Sequence, residues 1–205
     1  LAITDYDGLY AAVPFQKAAR AHGIKPILGS EITLHGGGRI TLLAKNDSGY
    51  RNLSRLITRL IDRPNGISIE DLQSHHDGLV CLPGCRRGPV SRAILGRRPR
   101  SAERAAQALQ NIFSDDFFLE MQWGPDDCDR WLLAEIAALG ARVGIPCVAV
   151  PNSHYIHPDE EILYRVLVSI HTGTALAFQH AEKETRLPLH LPEPVEMTKR
   201  FRDYP

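Results

Sequence analysis

Carboxylates at Asp5, Asp7, Glu31 and Glu120, a thiol at Cys85, an amide at Asn152 and an imidazole at His154 are spread along most of the chain. Each stands inside or just beyond a short apolar run that reads as a strand. In α/β folds such groups converge at one rim, beyond the carboxyl ends of the strands. Carboxylate, thiolate and imidazole all ligate divalent metals, so metal binding is the chemistry this set could perform. Plainer roles compete for the same residues. Asp5 can cap the helix after it. Glu31 can be a solvated strand residue. His154 and His157 flank Tyr155-Ile156 as a surface loop pair does, and His75-His76 lies in a polar stretch. Cys81 and Cys85 have no second Cys or His pair at zinc-site spacing, which speaks against a structural zinc.

Seven arginines (86, 87, 92, 97, 98, 100 and 104) fall between Arg86 and Arg104, and only Glu103 opposes them. Arg86, Arg87, Arg97 and Arg98 are candidates for a surface that meets phosphates or an acidic partner. The alternative is a solvated helix face. No aromatic residue interrupts the segment, so stacking on single-stranded bases is not indicated. The chain lacks Gly-x-Gly-x-x-Gly after a strand, a Walker-type phosphate loop and a Gly-x-Ser-x-Gly elbow.

The elements that must position these groups alternate. Strands are expected at Leu1–Thr4, Pro26–Leu34, Ile40–Ala44, Gly78–Pro83, Phe117–Gln122 and Cys147–Val150. Gly36-Gly37-Gly38 reads as a turn closing a hairpin. Helices are expected from Tyr10 to Ala21, with Ala11, Phe15, Ala18 and Ala19 on one face, and from a cap at Asp47 or Ser48 through Leu60. Others are expected after a cap at Ser101, around Leu132–Val143, from Glu160 to Ser169 and from Pro194 to Phe201. Thr172–Pro192 reads as irregular. The alternation implies a mainly parallel sheet, open or closed.

Composition sets the outer limits. The 205 residues are 43% hydrophobic and 23% charged, ordinary for a globular chain that buries about 70% of its unfolded surface. Global disorder is excluded by that hydrophobicity. Lys+Arg and Asp+Glu are both 24, so no net charge drives the whole chain toward nucleic acid or an anionic membrane. No apolar run reaches the roughly 20 residues of a membrane span. Four cysteines are too few for a disulfide scaffold, and a cytoplasmic protein with reduced thiols is expected. The chain opens directly on a strand, and an upstream segment is expected.

In this order, several segments resemble one family. Leu1–Tyr10 (LAITDYDGLY) resembles the second motif of the PHP domain, in the form found in bacterial C-family DNA polymerase alpha subunits. Ile27–Glu31, Leu42–Asn46, Gly49–Leu53, Gly78–Cys85, Phe118–Gln122, Asn152–Tyr155 and Glu196-Met197 follow in family order. The Leu-Pro-Gly-Cys form followed by Arg86-Arg87-Gly88-Pro89 is most similar to the error-prone, damage-associated branch.

The resemblance implies a distorted seven-stranded (β/α) barrel whose first strand, with a His-x-His pair, is missing here. It implies residues 1–170 as the barrel domain and 171–205 as a linker and the start of a following polymerase region. It implies up to three divalent ions (zinc, manganese or magnesium) and phosphoester hydrolysis. Partners would be downstream polymerase domains, DNA through the full-length protein, and replisome or mutagenesis-complex subunits, with no membrane. Glu31, Cys85 and His154 match ligand positions, and Asp5 and Asn152 match more weakly. Tyr6, Arg39 and Asn152 replace two histidines and an aspartate. Arg39 cannot ligate a cation, and a salt bridge to Glu31 is its expected use. The function expected is a polymerase's structural support with a degenerate metal site. The alternative is a metal-dependent phosphoesterase, either a proofreading nuclease or a stand-alone phosphatase.

Overall fold

The computed structural model describes residues 1–63, 65–84, 86–124, 126–176 and 189–204. The chain divides into two compact units. One comprises Leu1–Glu120 and Ala138–Val148, the other Met121–Ala137 and Ala149–Pro205.

The first unit is built on a four-stranded sheet in the order β1-β2-β3-β4. Its strands are β1 (Ala2–Tyr6), β2 (Ile27–Thr33), β3 (Arg39–Ala44) and β4 (Leu79–Leu82). Only β1 and β2 run parallel; β2–β3 and β3–β4 are antiparallel. The expectation of a mainly parallel sheet is therefore corrected. The glycine turn, expected as a hairpin, sets β3 antiparallel to β2, and β4 then joins β3 antiparallel through a pairing distant in sequence. Gly36, Gly37 and Gly38 all have positive φ, which returns the chain beside the strand it has just left. Helix α1 (Ala12–Ala21) makes the β1–β2 crossover, burying Ala19 as expected, together with Ala12 rather than Ala11 and Ala18.

Helix α2 (Asp47–Asp62) follows β3 and buries Leu53 and Leu56 completely. Full burial of each such side chain stabilises the fold by roughly 1.5–3 kcal/mol. The cap of α2 is Asn46, one residue before the expected pair; its side chain accepts the Gly49 N–H at 2.9 Å. Short helices α3 (Ile69–Ser74) and α4 (Pro89–Leu95) and the longer α5 (Pro99–Phe113) complete the helices on this side. Ser101 lies inside the first turn of α5 and Arg98 takes the cap position, because Pro99 is already suited to the first helical residue. Ala102, Ala106, Leu109 and Phe113 form the buried stripe of α5.

Strands β5 (Leu119–Met121) and β6 (Cys147–Ala149) form a separate pair. An isolated parallel bridge joins Cys81 to Phe117. Helix α6 (Asp127–Val143) runs through both units, which the division cuts after Ala137. Among the described residues there are thus six strands in two sheets, and no closed barrel. In the second unit, a single turn at Pro158–Glu160 leads into α7 (Glu161–Thr172), which Gly173 ends at φ +66. Tyr155 bridges His190, and α8 (Pro194–Arg200) follows. No helix is long and apolar enough to cross a membrane among the described residues.

Candidate functional site

The register of the first sheet sorts the candidate residues onto two faces. Tyr6 pairs with Glu31, Glu31 with Thr41, and Thr41 with Leu82. Directly paired residues share a face, so these four form one row across the sheet. Arg39 pairs with Thr33, two residues along the same two strands, and belongs to the same face. The opposite face carries Ser30, Ile32, Ile40 and Leu42, all fully buried. Glu31, Thr33 and Arg39 are half-buried.

On the open face the Arg39 guanidinium lies over the Tyr6 ring, its carbon 4.4 Å from the ring centroid. This corrects the expected Arg39–Glu31 salt bridge. A planar guanidinium stacks well on an aromatic face, and register places Arg39 two pairs along from Glu31. The two positions where the resemblance implies histidine ligands are thus filled by a cation and a phenol in contact with each other.

Asp5 and Asp7 have structural occupations. Asp5 lies within β1, and its carboxylate accepts the Ala11 N–H at 2.9 Å, just ahead of α1. That is the plainer of its two readings. Ser30 ties the same corner: its hydroxyl donates to the Asp5 carbonyl and accepts the Gly8 N–H. Asp7 sits at φ +49 and clamps the end of β1 to β2. Its N–H donates to the Glu31 carbonyl at 2.9 Å, and its carboxylate accepts the Thr33 N–H and hydroxyl, each at 2.7 Å.

Cys85 lies outside the described residues. Its neighbour Gly84 has φ +77 and presses on the Arg39 backbone closely enough that no Cβ would fit. The Arg39 N–H donates to the Arg87 carbonyl at 3.3 Å, so the strand end and the arginine-rich loop are joined. Arg97, also at positive φ, and Arg98 form the α4–α5 connection. Glu120 is buried in β5. Burial pushes the Cys81 thiol well above its ordinary range, and the Glu120 charge pushes it further; such a thiol is inert. Cys81, Cys128 and Cys147 are not joined in disulfides.

Asn152 and His154 belong to the second unit, in the loop after β6. The His154 N–H donates to the Leu189 carbonyl at 2.7 Å, and its ring packs 4.8 Å from that of Tyr164. In the same unit, His190 Nε2 lies 3.0 Å from a Glu196 oxygen, and Arg200 pairs with the other oxygen. The Arg200 guanidinium in turn covers the Trp123 ring. Sequence reasoning did not find this network. Its signal was the Glu196-x-x-x-Arg200 spacing on a helix.

Among the described residues no three His, Cys, Asp or Glu side chains gather to hold an ion. With Arg39 laid on Tyr6, the open face presents a fixed positive charge, which does not suit a cluster of divalent cations.

Comparison with known proteins places this arrangement. Residues 1–123 match the PHP domain. An error-prone DNA polymerase of Symbiobacterium thermophilum is 33% identical over the whole chain, which covers 21% of that protein. DNA polymerase III alpha subunits of Borreliella burgdorferi and Pseudomonas fluorescens are 29% and 32% identical, again over the whole chain, with 19% and 18% of their lengths covered. The chain therefore spans about a fifth of the length of these curated relatives. Ordered motifs, strand–helix alternation and the family match agree: this chain belongs to the PHP domain family.

Proposed function

We propose that this chain is the PHP domain of a bacterial DNA-directed DNA polymerase of the error-prone type, acting as a support for polymerase domains that follow it. The observation that carries the reading is the match over the whole chain to polymerases of which it covers only a fifth. In this reading residues 1–170 form a seven-stranded (β/α) barrel completed by an upstream strand, and 171–205 lead into the polymerase region. β1 stands at the edge of its sheet, which leaves room for that strand. The protein acts in the cytoplasm, on DNA during repair synthesis, and meets replisome or mutagenesis subunits. The arginines at 86, 87, 97 and 98 are its candidate contact surface.

The metal site of this domain is degenerate. Glu31, Cys85 and His154 keep ligand chemistry, with Asp5 and Asn152 as weaker members, but the cation–π pair of Arg39 and Tyr6 supports the loss. The test is the size of the native polypeptide, read by immunoblot of source cells. A band several-fold above 22.8 kDa is expected. A band just above that mass rejects the polymerase reading and brings forward a stand-alone phosphoesterase.

A further inference from the structure

A cavity of about 300 Å³ opens beside the sheet face, bounded by Thr33, Gly38, Arg39, Arg87 and Arg92. Its size is at the small end of the range for ligand sites. Among the described residues that line it, three are arginines (Arg39, Arg87 and Arg92) and none is acidic. They arrive from three places in the sequence: the start of β3, the loop before α4, and α4 itself. The packing of the glycine turn accounts for the convergence. A Cβ on Gly37 or Gly38 would stand 3.3 Å from an Arg92 guanidinium nitrogen, and one on Gly38 would stand 3.0 Å from the Arg87 carbonyl. With φ of +86 and +100, the two glycines both form the turn and make room for Arg92.

The charge balance points to an anion. No carboxylate among the described residues lies within ion-pair distance of Arg39 or Arg92, and the Arg39 partner is the uncharged Tyr6 ring. The Thr33 hydroxyl is committed to Asp7, and the Arg39 and Arg92 guanidinium N–H groups supply donors to the cavity. Guanidinium is planar, permanently charged and matched to oxyanions that accept two parallel hydrogen bonds. We propose that this cavity is a metal-independent binding site for a phosphoryl oxyanion, held by Arg39 and Arg92 with Arg87 at the rim. This stands apart from the polymerase reading; it requires only the first unit's geometry. It concerns binding alone, with no bond made or broken.

The test is calorimetric titration of the full 205-residue chain with inorganic phosphate, at low salt and with EDTA present. One ion per chain is expected, with affinity falling as NaCl rises. Arg39→Gln and Arg92→Gln should each weaken binding at least tenfold, and Arg92→Lys by less, since it keeps the charge and loses the fork. Arg51→Gln, an exposed arginine on α2, should leave it unchanged. Arg92 is exposed, so its variants test the site without threatening the fold. Competition by a short single-stranded DNA, with and without a 5′-phosphate, identifies the source. Displacement only by the phosphorylated strand assigns an end phosphate; equal displacement assigns backbone phosphate; none assigns the free ion. Absence of phosphate binding, binding that appears only with added divalent metal, or binding unaltered by Arg39→Gln and Arg92→Gln would overturn the proposal.

Discussion

The guanidinium carbon of Arg39 stands 4.4 Å from the centroid of the Tyr6 ring, joining the end of β1 to the start of β3 across the intervening strand. The contact is partly solvated, since Tyr6 is 48% exposed. A cation–π pair in that setting is worth about 0.5–1 kcal/mol. A double-mutant cycle on Tyr6→Leu and Arg39→Met, measured by urea unfolding, should return a coupling of that size. A coupling of zero would show that the two side chains act independently.

Metal content follows from the same pair. A fixed positive charge over a phenol raises the cost of placing divalent ions on this face. After dialysis against trace manganese and zinc, elemental analysis of the chain should find less than one tightly held ion per molecule. Replacing both residues by histidine (Tyr6→His with Arg39→His) should raise retention, because it removes the charge and adds two imidazole donors. Two or more ions held by the unaltered chain would sink the degenerate-site reading.

Much of this was legible in the sequence, and the misses have identifiable causes. The hairpin closed by Gly36–Gly38, α2, β4 and α7 follow from turn residues and hydrophobic period, which are local signals. The direction of β4 was not legible, because it joins the sheet antiparallel to β3, and that pairing is made by long-range packing. Helix α3 announces itself only through the Ser68-x-x-Asp71 capping box, and α4 through Pro89 after Gly88; both are too short for a period to show. At the site, motif order located Tyr6, Glu31 and Arg39, yet their partners depend on register. Arg39 pairs with Thr33, two pairs along from Glu31, and its guanidinium lies on the Tyr6 ring in place of the expected Glu31 carboxylate.

Asp7 is a hinge point that the ligand-centred reading of the motif passes over. Its carboxylate holds both the N–H and the hydroxyl of Thr33, and its backbone takes the left-handed region. Asp7→Ala loses two charge-assisted hydrogen bonds and keeps the unfavourable φ, at a cost of about 2–3 kcal/mol. Asp7→Asn retains acceptor capacity and tolerates positive φ, so it should cost less than half as much. Thermal unfolding of the two variants checks the order; equal losses would show that charge alone matters.

Asp71 should set part of the acid limit of the fold. Its side chain is 5% exposed and lies between Arg59 and Arg63, with an Arg63 nitrogen at 2.6 Å. Burial alone would raise its pKa. The Ser68 N–H and hydroxyl, with the Arg59 and Arg63 guanidiniums, outweigh that and hold it below the ordinary carboxylate range. The sign follows from linkage. A carboxyl whose folded pKa is depressed binds protons more readily when unfolded, so its contribution is complete above its unfolded value near 3.8. That contribution is lost as pH falls through the folded pKa. Asp71→Asn should therefore cost about 2 kcal/mol at pH 7, through the weakened capping box and two arginines left without their carboxylate. The same substitution should flatten the acid limb, so that the variant and the parent chain converge in stability below pH 3. Urea midpoints measured between pH 2.5 and 7 decide the matter: a gap that stays constant across that range would assign the loss to packing and not to the ionised carboxylate.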